Sequence, residues 1–338
     1  MKAAVFHGPR DIRCEEIEKP VPGDGEALLR VHACGICGSD LHTYRHGMFE
    51  GLGAPVSDDE ADGRVMGHEF SGEVVEVRGA SPLSVGDRVC AVGMGGNAEY
   101  ITITEGMSGL ARVFSDERSF EEAATTEPLA TSLHAVNIAD PQNGETHAIL
   151  GAGIIGLGAL QCIKAKAPDA RVIVVDLSDK RLAMATELGA DLVFNASSGD
   201  PVSGILDATG SEDLGLINAR SGGVDVVFDC AGAGKNSKGT TVLSQAIDMV
   251  RFGGKVVVVA VFERAIEVDM NIVVRKDIAI HGSWAWQPAE FLEAGELIDS
   301  GKIDRRPLIS HRFGLNDASD AYETQLQAEA AIKVMITP

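Results

Sequence analysis

Hydrophobic and polar positions follow two rhythms along this chain. From about residue 125 onward, short β-branched runs alternate with stretches of helical spacing. The runs are His147 to Leu150, Arg171 to Val175, Asp191 to Phe194, Val224 to Phe228, Lys255 to Val261 and Asp277 to His281. Val172-Ile173-Val174-Val175 and Val256-Val257-Val258-Val259 are continuously apolar, as parallel strands buried on both faces are. Ile155 to Ala167 and Lys180 to Leu188 have helical spacing, the second closed by Gly189. Six strands alternating with helices predict an α/β, doubly wound sheet. The first third reads differently. Val5 to Phe6, Ala27 to His32, Phe70 to Val77 and Asp87 to Val92 are short strand candidates between turn signals such as Pro20 to Gly25. The tail returns to mixed texture. Ala289 to Ser300 and Asn316 to Gln327 read as helices, the second N-capped by Asn316, and Ile332 to Ile336 suits a strand. A doubly wound domain over residues 129–284 is therefore expected inside a β-rich domain made of residues 1–128 and 285–338.

Composition narrows the class. With 45% apolar and 23% charged residues, the 338-residue chain is ordinary globular protein, too long for one hydrophobic core. A net charge of −21 excludes nucleic acid and anionic membranes as partners, both being polyanions. No stretch reaches the roughly 18 apolar residues of a membrane span, and the N-terminus lacks the pattern of a signal peptide. Six cysteines are too few for a disulfide framework. A cytoplasmic location is the expectation. Asp58 to Asp62, with four acids in five positions, reads as a solvated loop.

Two constellations carry chemistry. Gly151-Ala152-Gly153-Ile154-Ile155-Gly156 follows a strand and opens a helix. In that setting the first glycine permits the tight turn, the second lets backbone approach a pyrophosphate, and the third lets helix pack on strand. The helix N-terminus then favours the phosphate charge. Asp176 ends the next strand, 20 residues beyond Gly156, where an acid accepts hydrogen bonds from ribose hydroxyls and repels a 2′-phosphate. NAD is the expected dinucleotide. Lys180 and Arg181 are close by; either they screen a 2′-phosphate or they face water, and Arg181 is counted with the cofactor residues.

The second constellation is Gly35-Ile36-Cys37-Gly38-Ser39-Asp40-Leu41-His42 together with Gly67-His68-Glu69. A thiolate, an imidazole and a carboxylate close around Zn²⁺ and leave one position open. Taken singly, a cysteine is usually a small buried hydrophobe, so the weight rests on the set. Cys34 and Cys37 form a Cys-x-x-Cys pair, which also fits redox chemistry or a second zinc ligand.

With these motifs in this order, and with Val85-Gly86-Asp87-Arg88-Val89 between them, the sequence resembles the zinc-dependent medium-chain dehydrogenase/reductase family over nearly its whole length. The resemblance implies a GroES-like catalytic domain beside a Rossmann NAD-binding domain, and hydride transfer between an alcohol and nicotinamide. It makes Cys34 a core residue. The family's third zinc ligand falls at Thr126-Glu127-Pro128, whose Glu-Pro form looks like the sorbitol, polyol and butanediol dehydrogenase branch. The implied shell is Cys37 and His68, completed by Glu69, Glu127 and water in varying combinations. Many relatives carry a four-cysteine lobe for a structural zinc after the Gly-Asp-Arg-Val strand. Here Val89-Cys90-Ala91-Val92 runs through Gly93 to Asn97 directly to Ala98-Glu99-Tyr100. One catalytic zinc and no structural zinc are therefore expected, in a homodimer or homotetramer.

The expected catalytic residues are Ser39, His42 and Glu69. Ser39 is placed to accept the proton of a substrate hydroxyl, and His42 to pass it outward, because a serine cannot hold that charge itself. Tyr44, Met48 and Phe49 either line a substrate pocket or simply pack. Trp284 and Trp286 follow the sixth strand, where relatives form subunit contacts. The leading reading is an NAD-dependent dehydrogenase of a small secondary alcohol, polyol or vicinal diol, or of the matching ketone. The alternatives are a zinc-free enone or quinone reductase and a non-catalytic binding protein on the same fold.

Overall fold

The computed structural model describes residues 1–47, 64–103, 112–213, 215, 220–232 and 240–338. Met48, Phe49 and the acidic run at 58–62 lie outside them. The chain divides into two compact units, Met1–Ala130 with Pro288–Pro338, and Thr131–Gln287.

The first unit opens with β1 (Lys2–Gly8), β2 (Asp11–Glu16), β3 (Ala27–Gly35) and α1 (Gly38–His46). Then come β4 (Arg64–Val65), β5 (Glu69–Val77), β6 (Arg88–Val92), β7 (Tyr100–Ile103), β8 (Arg112–Val113), α2 (Phe120–Ala124) and α3 (Thr126–Ala139), within which the boundary falls. The second unit contains β9 (Thr146–Leu150), α4 (Ile154–Lys166), β10 (Arg171–Asp176), α5 (Asp179–Glu187), β11 (Leu192–Asn195) and α6 (Pro201–Thr209). It continues through β12 (Ser211–Asp213), β13 (Arg220–Gly222), β14 (Val224–Asp229), α7 (Val242–Met249), β15 (Val250–Val258), α8 (Met270–Arg275) and β16 (Ala279–Gly282). The chain then returns to the first unit with α9 (Pro288–Asp299), β17 (Ile309–Phe313), α10 (Ala318–Gln325) and β18 (Lys333–Ile336).

In the first unit, strands pair in the order β17-β18-β3-β5-β6-β8, and β7 also pairs with β3. All of these pairs are antiparallel except β17 with β18. Leu29, Val31, Phe70, Val74, Val89, Ile101 and Ile103 fill the core of this sheet. A smaller sheet, β2-β1-β4, shares a second core with α1 and α10 through Phe6, Ile36, Tyr44, Met66 and Tyr322. The order of the large sheet brings β18 beside β3 and β3 beside β5, and it is this neighbourhood that assembles the metal set below.

In the second unit, six parallel strands lie in the order β11-β10-β9-β14-β15-β16. That is the doubly wound arrangement, with its change of direction between β9 and β14. Ile173, Val175, Val227 and Val256 are buried in its core, as their unbroken apolar runs require. Two local features differ from the sequence pattern. β15 begins at Val250 rather than Lys255, because Gly253, at φ +68°, and a register shift interrupt the apolar run. Asn316 caps no helix; it sits in a 3₁₀ turn, Leu315–Asp317, ahead of α10. Among the described residues, no helix is long and apolar enough to cross a membrane.

One buried histidine sits in this second sheet. His147 on β9 is fully buried, and its ring nitrogens have no hydrogen-bond partner among the described residues, although Glu145 Oε2 lies 3.4 Å from Nε2. Burial lowers its pKa below the usual histidine value of 6.5, against the opposing charges of Glu145 and Asp225. The folded state therefore favours neutral imidazole. That contribution is complete above pH 6.5 and is lost as pH falls below it, when the unfolded chain takes up the proton first. Replacing His147 by Leu will flatten the fall in melting temperature between pH 7 and 5; parallel slopes for variant and wild type would show that another group sets the acid limb.

Candidate metal centre and cofactor loop

Backbone geometry brings three candidate ligands together in the first unit. Cys37 is the N-cap of α1, and the Asp40 carboxylate three residues later accepts the Cys37 backbone N–H at 2.9 Å. His68 and Glu69 stand where the chain enters β5, after Gly67 turns it at φ +88°. The donor atoms of Cys37, His68 and Glu69 all lie within 4.8 Å of one another. A sulfur, a nitrogen and a carboxylate oxygen bind Zn²⁺ at about 2.0–2.3 Å, so donors this close need only small movements to share one ion.

Two surrounding groups prepare this set. Glu69 is fully buried, and its Oε2 accepts a hydrogen bond from Lys333 Nζ at 2.6 Å. Its Oε1 is buried without a partner among the described residues. An unpaired carboxylate oxygen out of water is costly, and a cation in front of it removes that cost. The residues therefore fit a metal. Lys333, also fully buried, donates to Ile36 O at 2.8 Å. Burial works against its ammonium, yet Glu69 and then Cys37, with Glu127 further off, hold its pKa above the ordinary lysine value. Asp40 lies 3.5 Å from His68 Nδ1, the position of a carboxylate that orients a ligand imidazole. Burial opposes the His68 imidazolium, but Asp40 and Cys37 outweigh it and raise the His68 pKa well above 6.5. The same negative field favours a bound cation. Gly35 makes room for all this: a Cβ there would collide with the Glu69 carboxylate and lie 3.3 Å from Lys333 Cδ.

The other expected residues fall into place around this set. Ser39 and His42 are half-buried on α1, one helical turn apart and on one face, just after Cys37. Glu127 stands in the first turn of α3, outside the three-residue group, though its charge bears on Lys333. Tyr44 is packed: it is buried, and its hydroxyl donates to Glu323 at 2.8 Å. Cys34 is buried in the sheet core, where burial raises its thiol pKa.

The second unit holds the glycine loop. Gly151 has φ +104°, and a Cβ there would meet Ala231 at 3.1 Å. Gly153 is the N-cap of α4, which begins at Ile154 and Ile155. A Cβ at Gly156 would strike the Gly151 carbonyl oxygen. Gly151 and Gly156 thus leave a cradle of bare backbone that a side chain at either position would disturb. Asp176, at the end of β10, accepts hydrogen bonds from Ala152 N at 2.6 Å and Ser178 N at 2.9 Å. Arg181 on α5 reaches back, with Nη1 4.0 Å from the Cβ position of Gly153. Strand, glycine cradle, helix N-terminus and acid together fit a dinucleotide.

Comparison with known proteins agrees with this geometry. Residues 155–300 match the zinc-binding dehydrogenase family, and residues 23–114 match the alcohol dehydrogenase GroES-like domain. The chain is 32% identical to (R,R)-butanediol dehydrogenase of Bacillus subtilis, with 100% of both chains covered. The chain belongs to the zinc-dependent medium-chain dehydrogenase/reductase family. Within it, the polyol dehydrogenase-like branch is where its relatives lie. It is 30% identical to the sorbitol dehydrogenase of Bos taurus, over 98% of this chain and 94% of that protein. The crystal structure of 2R,3R-butanediol dehydrogenase from Bacillus subtilis superposes with a TM-score of 0.84 at 32% identity, covering 100% of this chain and 99% of that one.

For this medium-chain dehydrogenase, sequence reasoning missed Lys333 and Asp40. Asp40 carried a readable signal, an acid three residues after a helix N-cap. Lys333 carried none, because one lysine in a C-terminal strand looks like any solvated charge. Its importance is directly measurable. Replacing Lys333 by Met leaves the Glu69 charge buried and unpaired, which costs about 3–5 kcal/mol. Urea unfolding of the metal-free protein will show that loss, and adding Glu69→Gln to Lys333→Met will recover part of it; an unchanged midpoint for Lys333→Met would show the pair to be dispensable.

Proposed function

We propose that this protein is a zinc-dependent dehydrogenase that moves hydride between NAD and a small polyol, vicinal diol or secondary alcohol, or the matching ketone. The observation that carries the reading is the Cys37–His68–Glu69 set, in which the buried Glu69 Oε1 has no partner among the described residues. The relatives named for butanediol, sorbitol and erythritol or threitol support the substrate class. In this reading residues 1–128 and 285–338 form the catalytic domain and 129–284 the NAD-binding domain. Each subunit holds one zinc; the seven residues between β6 and β7 contain no cysteine for a second.

Cys37, His68 and Glu69 hold the zinc, and Glu127 stands by as an alternative carboxylate. Zinc supplies Lewis-acid polarisation of the substrate oxygen, and NAD supplies a hydride acceptor. Lys333 keeps Glu69 Oε2 occupied, so only Oε1 is offered forward. Asp40 fixes the His68 ring. Ser39 takes the substrate's hydroxyl proton, and His42, on the same helix face, receives it and releases it to solvent. Gly151, Gly153, Ile154, Ile155 and Gly156 bind the pyrophosphate through backbone. Asp176 would accept hydrogen bonds from the ribose hydroxyls and select NAD, with Arg181, whose Nη1 is 4.0 Å from the Cβ position of Gly153, among the cofactor residues.

Six free cysteines fit a reducing, cytoplasmic location. The edge strand β16 is exposed at every position, Ile280 among them, and Trp284 is exposed just beyond it. Residues 278–287 contain no acid in a chain of net charge −21, so this edge is where a second copy meets least repulsion. Light scattering will give a dimer or tetramer for the wild type and a lower mass for Ile280→Lys; a monomeric wild type would rule out this interface.

The deciding experiment measures metal per subunit in protein purified without added zinc, then NAD reduction on a panel of polyols and diols before and after chelation. The expected outcome is about one zinc and turnover abolished by chelation. In the same assay, Asp176→Ala weakens NAD far more than NADP. Full activity on an enone or quinone without zinc would move the chain to the zinc-free reductases, and bound cofactor without any turnover would make it a binding protein.

A further inference from the structure

The short β6–β7 connection does more than join two strands. It grips the turn that presents His68. Gly95 N and Gly96 N both donate to Gly67 O, at 3.0 and 2.9 Å, and Asn97 N donates to Met66 O at 3.0 Å. The Asn97 side chain lies directly over Gly67, where an added Cβ would approach its Oδ1 at 2.7 Å. Asn97 is 1% exposed, and its Nδ2 donates to Tyr322 Oη at 2.9 Å. Its Oδ1 has no partner among the described residues.

Tyr322 leads to the other ligand. It is fully buried on α10, and its ring packs at 5.1 Å against the ring of Tyr44 on α1. Helix α1 is the element whose N-cap is Cys37, and the charges of Asp40 and Cys37 are among those that Tyr322 feels. One hydrogen bond therefore links the connection that holds the Gly67–His68 turn to the helix that packs on α1, whose N-cap is Cys37. A buried amide with one unmet acceptor is a poor choice for packing alone, since an apolar side chain would carry no desolvation cost. Its place against the glycine before His68 gives it a use.

We infer that Asn97, through its hydrogen bond to Tyr322, is a positioning residue that sets the separation of Cys37 and His68 for the metal. The inference rests on the zinc reading proposed above. Neither side chain touches the ion; the bond acts by fixing the Gly67 turn relative to α1. Partners of this kind around metal ligands are worth about tenfold or more in affinity.

The test is competition for zinc between the zinc-loaded full-length protein and a chromophoric chelator, in wild type, Tyr322→Phe, Asn97→Ala and the double variant. Thermal unfolding of each metal-free protein is recorded alongside. Tyr322→Phe keeps the ring against Tyr44 and removes only the hydroxyl. Each single variant is expected to lose zinc affinity about tenfold, and the double variant to lose little more than either, because both remove one bond. Zinc affinity within twofold of wild type in both single variants would overturn the inference, whatever happens to the melting temperature, and leave a merely structural contact. Losses that multiply in the double variant would overturn it as well. A wild type that takes up no zinc would instead sink the metal reading itself, and this inference with it.

Discussion

A carboxylate and an ammonium, both sealed from water, face each other between Glu69 and Lys333, and the metal centre depends on that pairing. Without the lysine, the Glu69 carboxylate would be buried with no hydrogen-bonded cation of its own. Lys333 offsets one charge permanently, which lets the protein fold before any metal arrives. It also takes one oxygen of Glu69 out of play. The remaining oxygen has no donor among the described residues, an electrostatic demand of the kind a divalent cation would satisfy. Gly35 is bound to the same pair, since any side chain there would displace the carboxylate.

The two units build their sites from different materials. The metal centre is made of side chains held by other side chains: Lys333 on Glu69, Asp40 on His68, Tyr322 on Asn97. The cofactor loop is made of backbone, and its glycines matter for what they lack. Even Asp176 is tied to backbone, with an N–H from Ala152 and another from Ser178 on its two oxygens. That carboxylate is thereby fixed in orientation, which would leave less ordering to be done on binding a ligand.

The doubly wound unit was legible in the sequence because its strands are buried on both faces and its glycine motif is local. Periodicity located all six strands but not all their ends: β15 starts before Gly253 and stops at Val258, and β16 starts at Ala279. Cys37, His68 and Glu69 were legible because each stands in a short motif. Helix α1 was not: its buried residues are Asp40, Thr43 and Tyr44, which show no apolar periodicity. Lys333 and Asn97 were not legible either. Their partners are set by which strands and helices become neighbours, 264 residues apart for Lys333 and Glu69 and 225 apart for Asn97 and Tyr322. No local pattern encodes such a pairing.

That separation has a consequence for synthesis. The whole second unit is translated between Glu69 and Lys333. At about 5–20 residues per second, the 264 residues between them take about 10–50 s to make. For that interval the nascent strand carrying Glu69 lacks its counter-charge, and β3 lacks its neighbour β18. The inserted unit has time to fold on its own first. The metal centre is thus a late product of translation, closed only after the ribosome has passed through the entire cofactor-binding half.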